Sequence, residues 1–467
     1  MNNFIPHFLY RFRKYFVVLI LFAVTTIAFG QTGKQYATNS DPKFNRQRGL
    51  YLLEVIKAIL KERYFDTKFQ GMNLEERFKT AGDQIKKQDM NWQIYRSIAQ
   101  LLSELNDSHT TFLPPDRLYR VEYGFTAQMI GVNCHVVTVT KGSDAEKKGL
   151  KAGDQVISVS NIGPTRRNFN TINYIIYGLD PQESIKLTVV GMDGKQRELE
   201  IIAKFLSPDE RKKERKKRRE AEEAKPFTCK EISTDLIACK LRTFDVEKKA
   251  VENLMKEVAG HNKLILDLRG NGGGLVETEH ALASRFFAGD VTVGQTIRRN
   301  KAKDEIVKGA KEKAFTGDLA VLIDSESASA SEVFARTIQI QKRGMVFGDT
   351  SMGAVMFSNE FAVDIPVDFL PNSMNSSGKW WTAFVSVTVE DVVMSDGGRL
   401  EGVGVSPDYP VGPSPLALLQ RSDPVLAFAA EKLGSPITAE KAGEFYFMLP
   451  KTEEELDKGG DALPTGK

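Results

Sequence analysis

The chain has 467 residues, 41% hydrophobic and 27% charged, with a formal net charge of +3. That is the balance of an ordinary soluble globular protein, long enough for two or three domains around a large core. Three cysteines are too few for a disulfide scaffold, and so small a net charge gives no reason to expect a nucleic-acid partner.

Residues 1–30 read as an export signal. Arg11, Arg13 and Lys14 precede a long apolar run from Tyr15, and Ala28-Phe29-Gly30 offers small residues for cleavage. A retained anchor is the alternative; no cysteine follows that would carry a lipid. Removing the segment takes three positive charges and no acids, leaving a net charge of zero. The mature protein is therefore expected in the periplasm or outside the cell. No later segment is apolar enough to cross a bilayer.

Residues 31–116 form the next predicted domain, a helical bundle. Leu50, Leu53, Ile56, Ile59 and Leu60 make one apolar stripe at helical spacing, and Ile94, Ile98, Leu101, Leu102 and Leu105 make another. The second stripe runs into Asp107-Ser108-His109-Thr110, a polar cluster that a packed helix can aim at another domain. Residues 117–205 then change to short alternating strands. The stretch Gly142-Ser-Asp-Ala145 to Gly149-Leu-Lys-Ala-Gly153-Asp154-Gln-Val-Ile resembles the hallmark segment of a PDZ domain. That resemblance implies a groove in which a peptide C-terminus adds as a strand, with Ile130-Gly131-Val132 as its carboxylate loop.

Residues 206–226 carry the run Arg211 to Lys225, which has no large apolar residue and reads as a solvated linker. Its basic part, 211–219, also offers a contact for anionic lipid or an acidic partner. Residues 227–412 are α/β, with strands predicted at Leu236–Leu241, Leu264–Leu268, Leu319–Ile323 and Met345–Phe347 between helical stretches. A mixed or parallel sheet follows, with active-site groups expected at the carboxyl ends of its strands. A polar, partly helical tail, 413–467, closes the chain. Cys229 and Cys239 flank a hairpin turn at Ser233-Thr-Asp235, and both a disulfide and two free thiols remain open.

Two segments carry chemistry. The strand ending at Ile323 turns through Asp324-Ser-Glu-Ser327-Ala-Ser329-Ala330 into a helix, with Ser331 and Glu332 at the junction as caps. A sharp strand-to-helix turn exposes a hydroxyl beside bare N–H groups and a favourable dipole, which suits a serine nucleophile. A plain capped helix is the alternative. The second segment, Arg269-Gly270-Asn271-Gly272-Gly273-Gly274, fits neither a dinucleotide loop nor a phosphate loop, because Leu275 follows and no Gly-Lys-Ser/Thr does. Its backbone N–H groups, from Gly273 or Gly274, could join Ala330 N–H in holding an oxyanion.

The blocks Asp267-Leu-Arg-Gly-Asn-Gly-Gly-Gly274, Ser327-Ala-Ser-Ala-Ser-Glu332, Gly348-Asp-Thr-Ser-Met-Gly353 and Glu401-Gly-Val-Gly-Val-Ser-Pro-Asp408 resemble the tail-specific, or C-terminal processing, serine peptidases. The likeness spans about 43–412. It implies a crotonase/ClpP-like core with an N-terminal helical bundle and an inserted PDZ domain, Ser329 as nucleophile, protein C-terminal tails as substrates, and neither metal nor cofactor.

One position departs. Where these peptidases carry a lysine base in Gly-Lys-Gly, the chain reads Gly353-Ala354-Val355. A serine without a base is a poor nucleophile. Of five histidines, His7 lies in the export signal, His135 in the predicted PDZ strands and His261 at the wrong end of its strand. His280 sits on the helix after the glycine loop, packing or facing solvent, which leaves His109. The tricorn-type branch is similar, with a histidine base after a serine and a glutamate near Gly-Val-x-Pro-Asp. By that likeness His109 is the base, and Glu401 orients it through Ser108 or directly. Lys379 is a displaced alternative. The rival readings are a silent PDZ-bearing scaffold and a small-molecule esterase.

Overall fold

In the computed structural model, which describes residues 41–115, 120–207, 225–366 and 381–448 with 209, 210, 212, 213 and 216, the two apolar stripes form helices. These are α1 (Pro42–Arg63) and α3 (Asn91–Ser103). A third helix, α2 (Leu74–Ile85), lies between them and starts at Asn73, whose side chain accepts from Glu76 N–H. The export signal with His7, Lys379, most of the basic run and residues 449–467 lie outside the described residues. No described helix is long and apolar enough to cross a membrane.

The bundle does not close on itself. Its inner face, including Leu52, Ile56, Ile94 and Ile98, packs against Val363, Ile365, Val385 and Val387. Those residues belong to an antiparallel sheet the sequence reading does not foresee. It runs β1 (Thr111–Leu113), β17 (Trp381–Met394), β12 (Val291–Arg298), β13 (Lys301–Val307), with β16 (Met356–Ile365) also on β17. β1 is the strand that follows the His109 turn, so pairing Thr111 to Ser386 fixes that turn to the far end of the chain.

Between 120 and 206 a short pair, β2 (Arg120–Glu122) with β8 (Lys204–Leu206), leads into a five-stranded antiparallel sheet. Its order is β3 (Phe125–Ile130), β4 (Asn133–Val139), β5 (Gln155–Val159), β6 (Ser184–Val190), β7 (Gln196–Ile202), with the helices α4 (Asp144–Lys147) and α5 (Phe169–Asn173) between strands. Val136, Val156, Leu187 and Val189 form its own core.

The remaining sheet is mainly parallel: β18 (Tyr409–Pro410), β15 (Met345–Gly348), β14 (Asp318–Ile323), β11 (Lys263–Asp267), β10 (Leu236–Leu241), with β9 (Phe227–Ser233) antiparallel at the edge. Alternate residues face opposite ways, so Ile237, Cys239 and Leu241 enter one core while Leu236 and Ala238 enter another. The first core is covered by α6 (Lys248–Val258), α7 (Val276–Ser284) and α8 (Ala330–Ile340). The second is covered by α9 (Pro424–Lys432), through Val425, Leu426, Ala429 and Ala430, and by Ala442 of α10 (Ala439–Gly443). The tail expected from 413 is corrected here: residues 425–447 join this core, because a parallel sheet buries both faces, while Leu418 packs on Val137 instead. Cys229 and Cys239, opposite each other on β9 and β10, are joined in a disulfide, and Cys134 is free and buried.

Candidate active site

Ser329 stands between β14 and α8 with φ 55° and ψ −118°, a conformation that costs a non-glycine residue energy and survives only where its surroundings enforce it. The enforcement is visible. Ser329 N–H donates to Ala354 O (2.9 Å) and to Glu332 Oε2 (3.0 Å). The same Glu332 carboxylate accepts from Gly353 N–H (2.7 Å), Ala354 N–H (2.9 Å) and Ser351 Oγ (2.6 Å). Glu332 is fully buried; burial raises its pKa and those bonds oppose the rise. The sequence reading placed Glu332 only as a cap. Its reach back across the serine turn to 351–354 needs tertiary contact, so no local signal announces it.

The glycine loop is held from both ends. Arg269 is buried and bidentate to Asp423 (2.9 and 2.7 Å), while it also bonds Asp267 (3.0 and 2.6 Å). Asn271 O accepts from Ala328 N–H (3.0 Å) and Ser331 Oγ (2.8 Å), tying the loop to the serine turn. At Gly273, φ is +97°, and an added Cβ would sit 2.8 Å from Ser329 Cβ and 3.1 Å from Ala330 N. Glycine is therefore obligatory there. The two expected oxyanion donors separate, however. Gly273 N–H donates to Asn271 Oδ1 (2.9 Å) and is committed. Gly274 N–H and Ala330 N–H have no protein acceptor among the described residues.

On the opposite side stands the turn after α3. Asp107 organises it by accepting from His109 N–H (3.0 Å), Thr110 N–H (2.6 Å), Tyr64 Oη (2.8 Å) and Thr388 Oγ1 (2.6 Å). Glu401 accepts from Ser108 N–H (2.7 Å), Ser108 Oγ (3.0 Å) and Val355 N–H (2.9 Å). Ser108 Oγ also lies 2.7 Å from His109 Nδ1. A hydroxyl owns one proton, and here it goes to the carboxylate, which can only accept. Nδ1 must then be the protonated nitrogen donating to Ser108 Oγ, which leaves Nε2 with a free lone pair. Burial holds the imidazole pKa below its ordinary value, against the opposing pull of Glu401 and Asp107.

Ser108, His109 and Glu401 are thus brought together. Ser329 Oγ has no hydrogen bond to His109 among the described residues; the two sides are linked through the backbone of 353–355, since Ala354 O takes Ser329 N–H and Val355 N–H binds Glu401. Ala354, at the position of the expected lysine, is nearly buried and offers only backbone. Among the other histidines, His135 is buried beside Gly153 O (3.3 Å). His280 does not simply pack or face solvent; it lines a cavity that also reaches Ser329.

The loop Ile130-Gly131-Val132 between β3 and β4 is tied to the α/β part. Gly131 N–H donates to Asp349 Oδ2 (2.7 Å), and Arg166 bonds Gly131 O (2.7 Å), Thr350 O (2.8 Å) and the Asp349 carboxylate. Ser325 Oγ donates to Met129 O (2.5 Å). Asp349 therefore occupies Gly131 N–H, while Val132 is exposed.

Comparison with known proteins fits this geometry. Residues 237–411 match the description of peptidase family S41. The chloroplastic C-terminal processing peptidase of Tetradesmus obliquus is 28% identical over 392 residues, covering 79% of this chain and 78% of that one. The carboxy-terminal processing protease CtpA of Bacillus subtilis (strain 168) is 26% identical over 302 residues, covering 62% and 60%. Among solved structures, mature CPAF superposes with a TM-score of 0.61 at 12% identity, covering 90% of this chain and 99% of that one, a likeness of fold. Residues 237–411 thus carry the match to peptidase family S41, and the chain is similar over most of its length to C-terminal processing peptidases, which supports a serine-type peptidase.

Proposed function

We propose that the protein is an exported endopeptidase in which Ser329 attacks the scissile carbonyl and His109 Nε2 takes the hydroxyl proton. The observation that carries this reading is the chain from Glu401 through Ser108 to His109 Nδ1, which leaves Nε2 as the basic nitrogen. His109 returns the proton to the leaving amine, a water then repeats the cycle, and Ser329 is freed. Ala330 N–H and Gly274 N–H are the oxyanion donors in this scheme, with Gly273 setting the close approach of loop and serine. Histidine supplies the base that the Ala354 methyl group cannot be.

The β3–β7 sheet serves as a PDZ domain that selects free protein C-termini, through Ile130, Gly131 and Val132. Entry of a terminal carboxylate there requires Asp349 to leave Gly131 N–H. A fluorophosphonate probe tests the catalytic part. Labelling of the folded protein, lost in Ser329→Ala and strongly slowed in His109→Ala, alongside hydrolysis of denatured casein, is the expected result. An unlabelled wild-type protein would contradict it, and ester turnover without casein cleavage would make it an esterase.

A further inference from the structure

A cavity opens at Ser329 and Ala330. Its walls are apolar, with Val276, Val293, Val333, Val355 and Met356 among them. Such walls alone would suit any aliphatic side chain. Among the polar residues that also line it, Glu279 of α7 stands apart: it is 1% exposed and has an Oε1 with no hydrogen-bond partner among the described residues. Its other oxygen lies 3.5 Å from His280 Nε2.

A buried acid oxygen without a partner is rare and costly, and in a cleft it marks a place where something else is meant to bind. The surrounding charges say what. Glu305 also lines the cavity, with Lys303 Nζ at 2.9 Å, and its negative charge opposes ionisation of Glu279. Burial and Glu305 together raise the Glu279 pKa to about 8. His280 is held below its ordinary pKa, chiefly by burial, and so is a poor cation for Glu279 at neutral pH. A substrate cation would supply the missing partner, and its aliphatic stem would lie along the valines.

We propose that this cavity is the specificity pocket of the peptidase and that Glu279, with Glu305 behind it, selects a lysine or arginine side chain flanking the scissile bond. The inference rests on Ser329 being the nucleophile, which makes a cavity lined by Ser329 the one that receives a residue next to the cleaved bond. An aliphatic side chain fits the same walls but leaves Glu279 dry and unpaired. A site built to bond a polar group discriminates far more strongly against its apolar analogue than one built on shape alone.

The test separates binding from turnover. The Ser329→Ala protein is titrated with acetylated, C-terminally amidated peptides that differ only in one central residue, lysine or norleucine; amidation removes the free carboxylate that could engage Gly131. The lysine peptide should bind at least tenfold more tightly by fluorescence anisotropy, and adding Glu279→Gln should shrink that ratio below threefold. Equal, undetectable or norleucine-favouring binding overturns the proposal without any Glu279 variant being needed, as does a ratio that survives Glu279→Gln. Cleavage sites in denatured casein, mapped on the wild-type enzyme, should cluster at lysine and arginine; cuts confined to apolar residues overturn it. If the wild type cleaves nothing while lysine still outbinds norleucine, the peptidase mechanism fails and the pocket stands.

Discussion

Two glutamates grip consecutive residues of one segment, and they do opposite work. Glu332 is fully buried and takes four donors from Ser329, Ser351, Gly353 and Ala354. Glu401 is only partly buried and takes Val355 N–H together with both donors of Ser108. Glu332 builds the serine side from residues close in sequence, inside a packed core. Glu401 holds the histidine side across a separation of 293 residues, on a turn anchored by β1 to β17. The proposed nucleophile is thus a product of the core, whereas its proposed base is a docked part.

That contrast can be broken in descending order of effect. His109→Ala should lower kcat/KM for a peptide by at least about 10³-fold, while thermal unfolding stays near wild type, because the turn is organised by Asp107. Glu332→Ala should fail differently. It strands Gly353 N–H, Ala354 N–H and Ser351 Oγ in a dry interior, at a cost of about 3 kcal/mol or more, read as a lowered urea midpoint. Equal unfolding of Glu332→Ala and wild type would refute the structural role given to that residue.

Glu401→Gln keeps the shape but weakens the hold on Ser108, and should reduce kcat by roughly 10- to 100-fold with little change in KM. The smallest effect belongs to the loop at 130–132. Asp349→Asn removes the charge that occupies Gly131 N–H, so peptides with a free C-terminus should bind several-fold more tightly than to wild type. An unchanged affinity would mean that Asp349 does not compete there.

How much of this was legible follows the same division. The parallel strands and the Ser329 turn were readable because continuous apolar runs and small residues encode them locally. The likeness to known peptidases drew His109 and Glu401 from the sequence, but not the use of Ser108's single proton to set the imidazole tautomer. The antiparallel sheet was missed, since Thr296, Glu305 and Glu390 dilute the alternation in strands whose partners lie far along the chain. Gly273 and Gly274 could not be told apart by composition; only the Asn271 side chain distinguishes them. The sequence reading has His280 packing or facing solvent and does not single out Glu279; with α7 beside α8, both line the cavity at Ser329.

The most direct measurement is the rate of Ser329 acylation by a fluorophosphonate as a function of pH, in wild type and in His109→Ala. Neutral imidazole is the active form, and burial favours that form, so the wild-type rate should rise through an acid limb centred below the usual histidine value of about 6.5 and then level off. That limb should vanish in His109→Ala, leaving a slow rate. The same limb and the same rate in both proteins would contradict the assignment of His109 as the base.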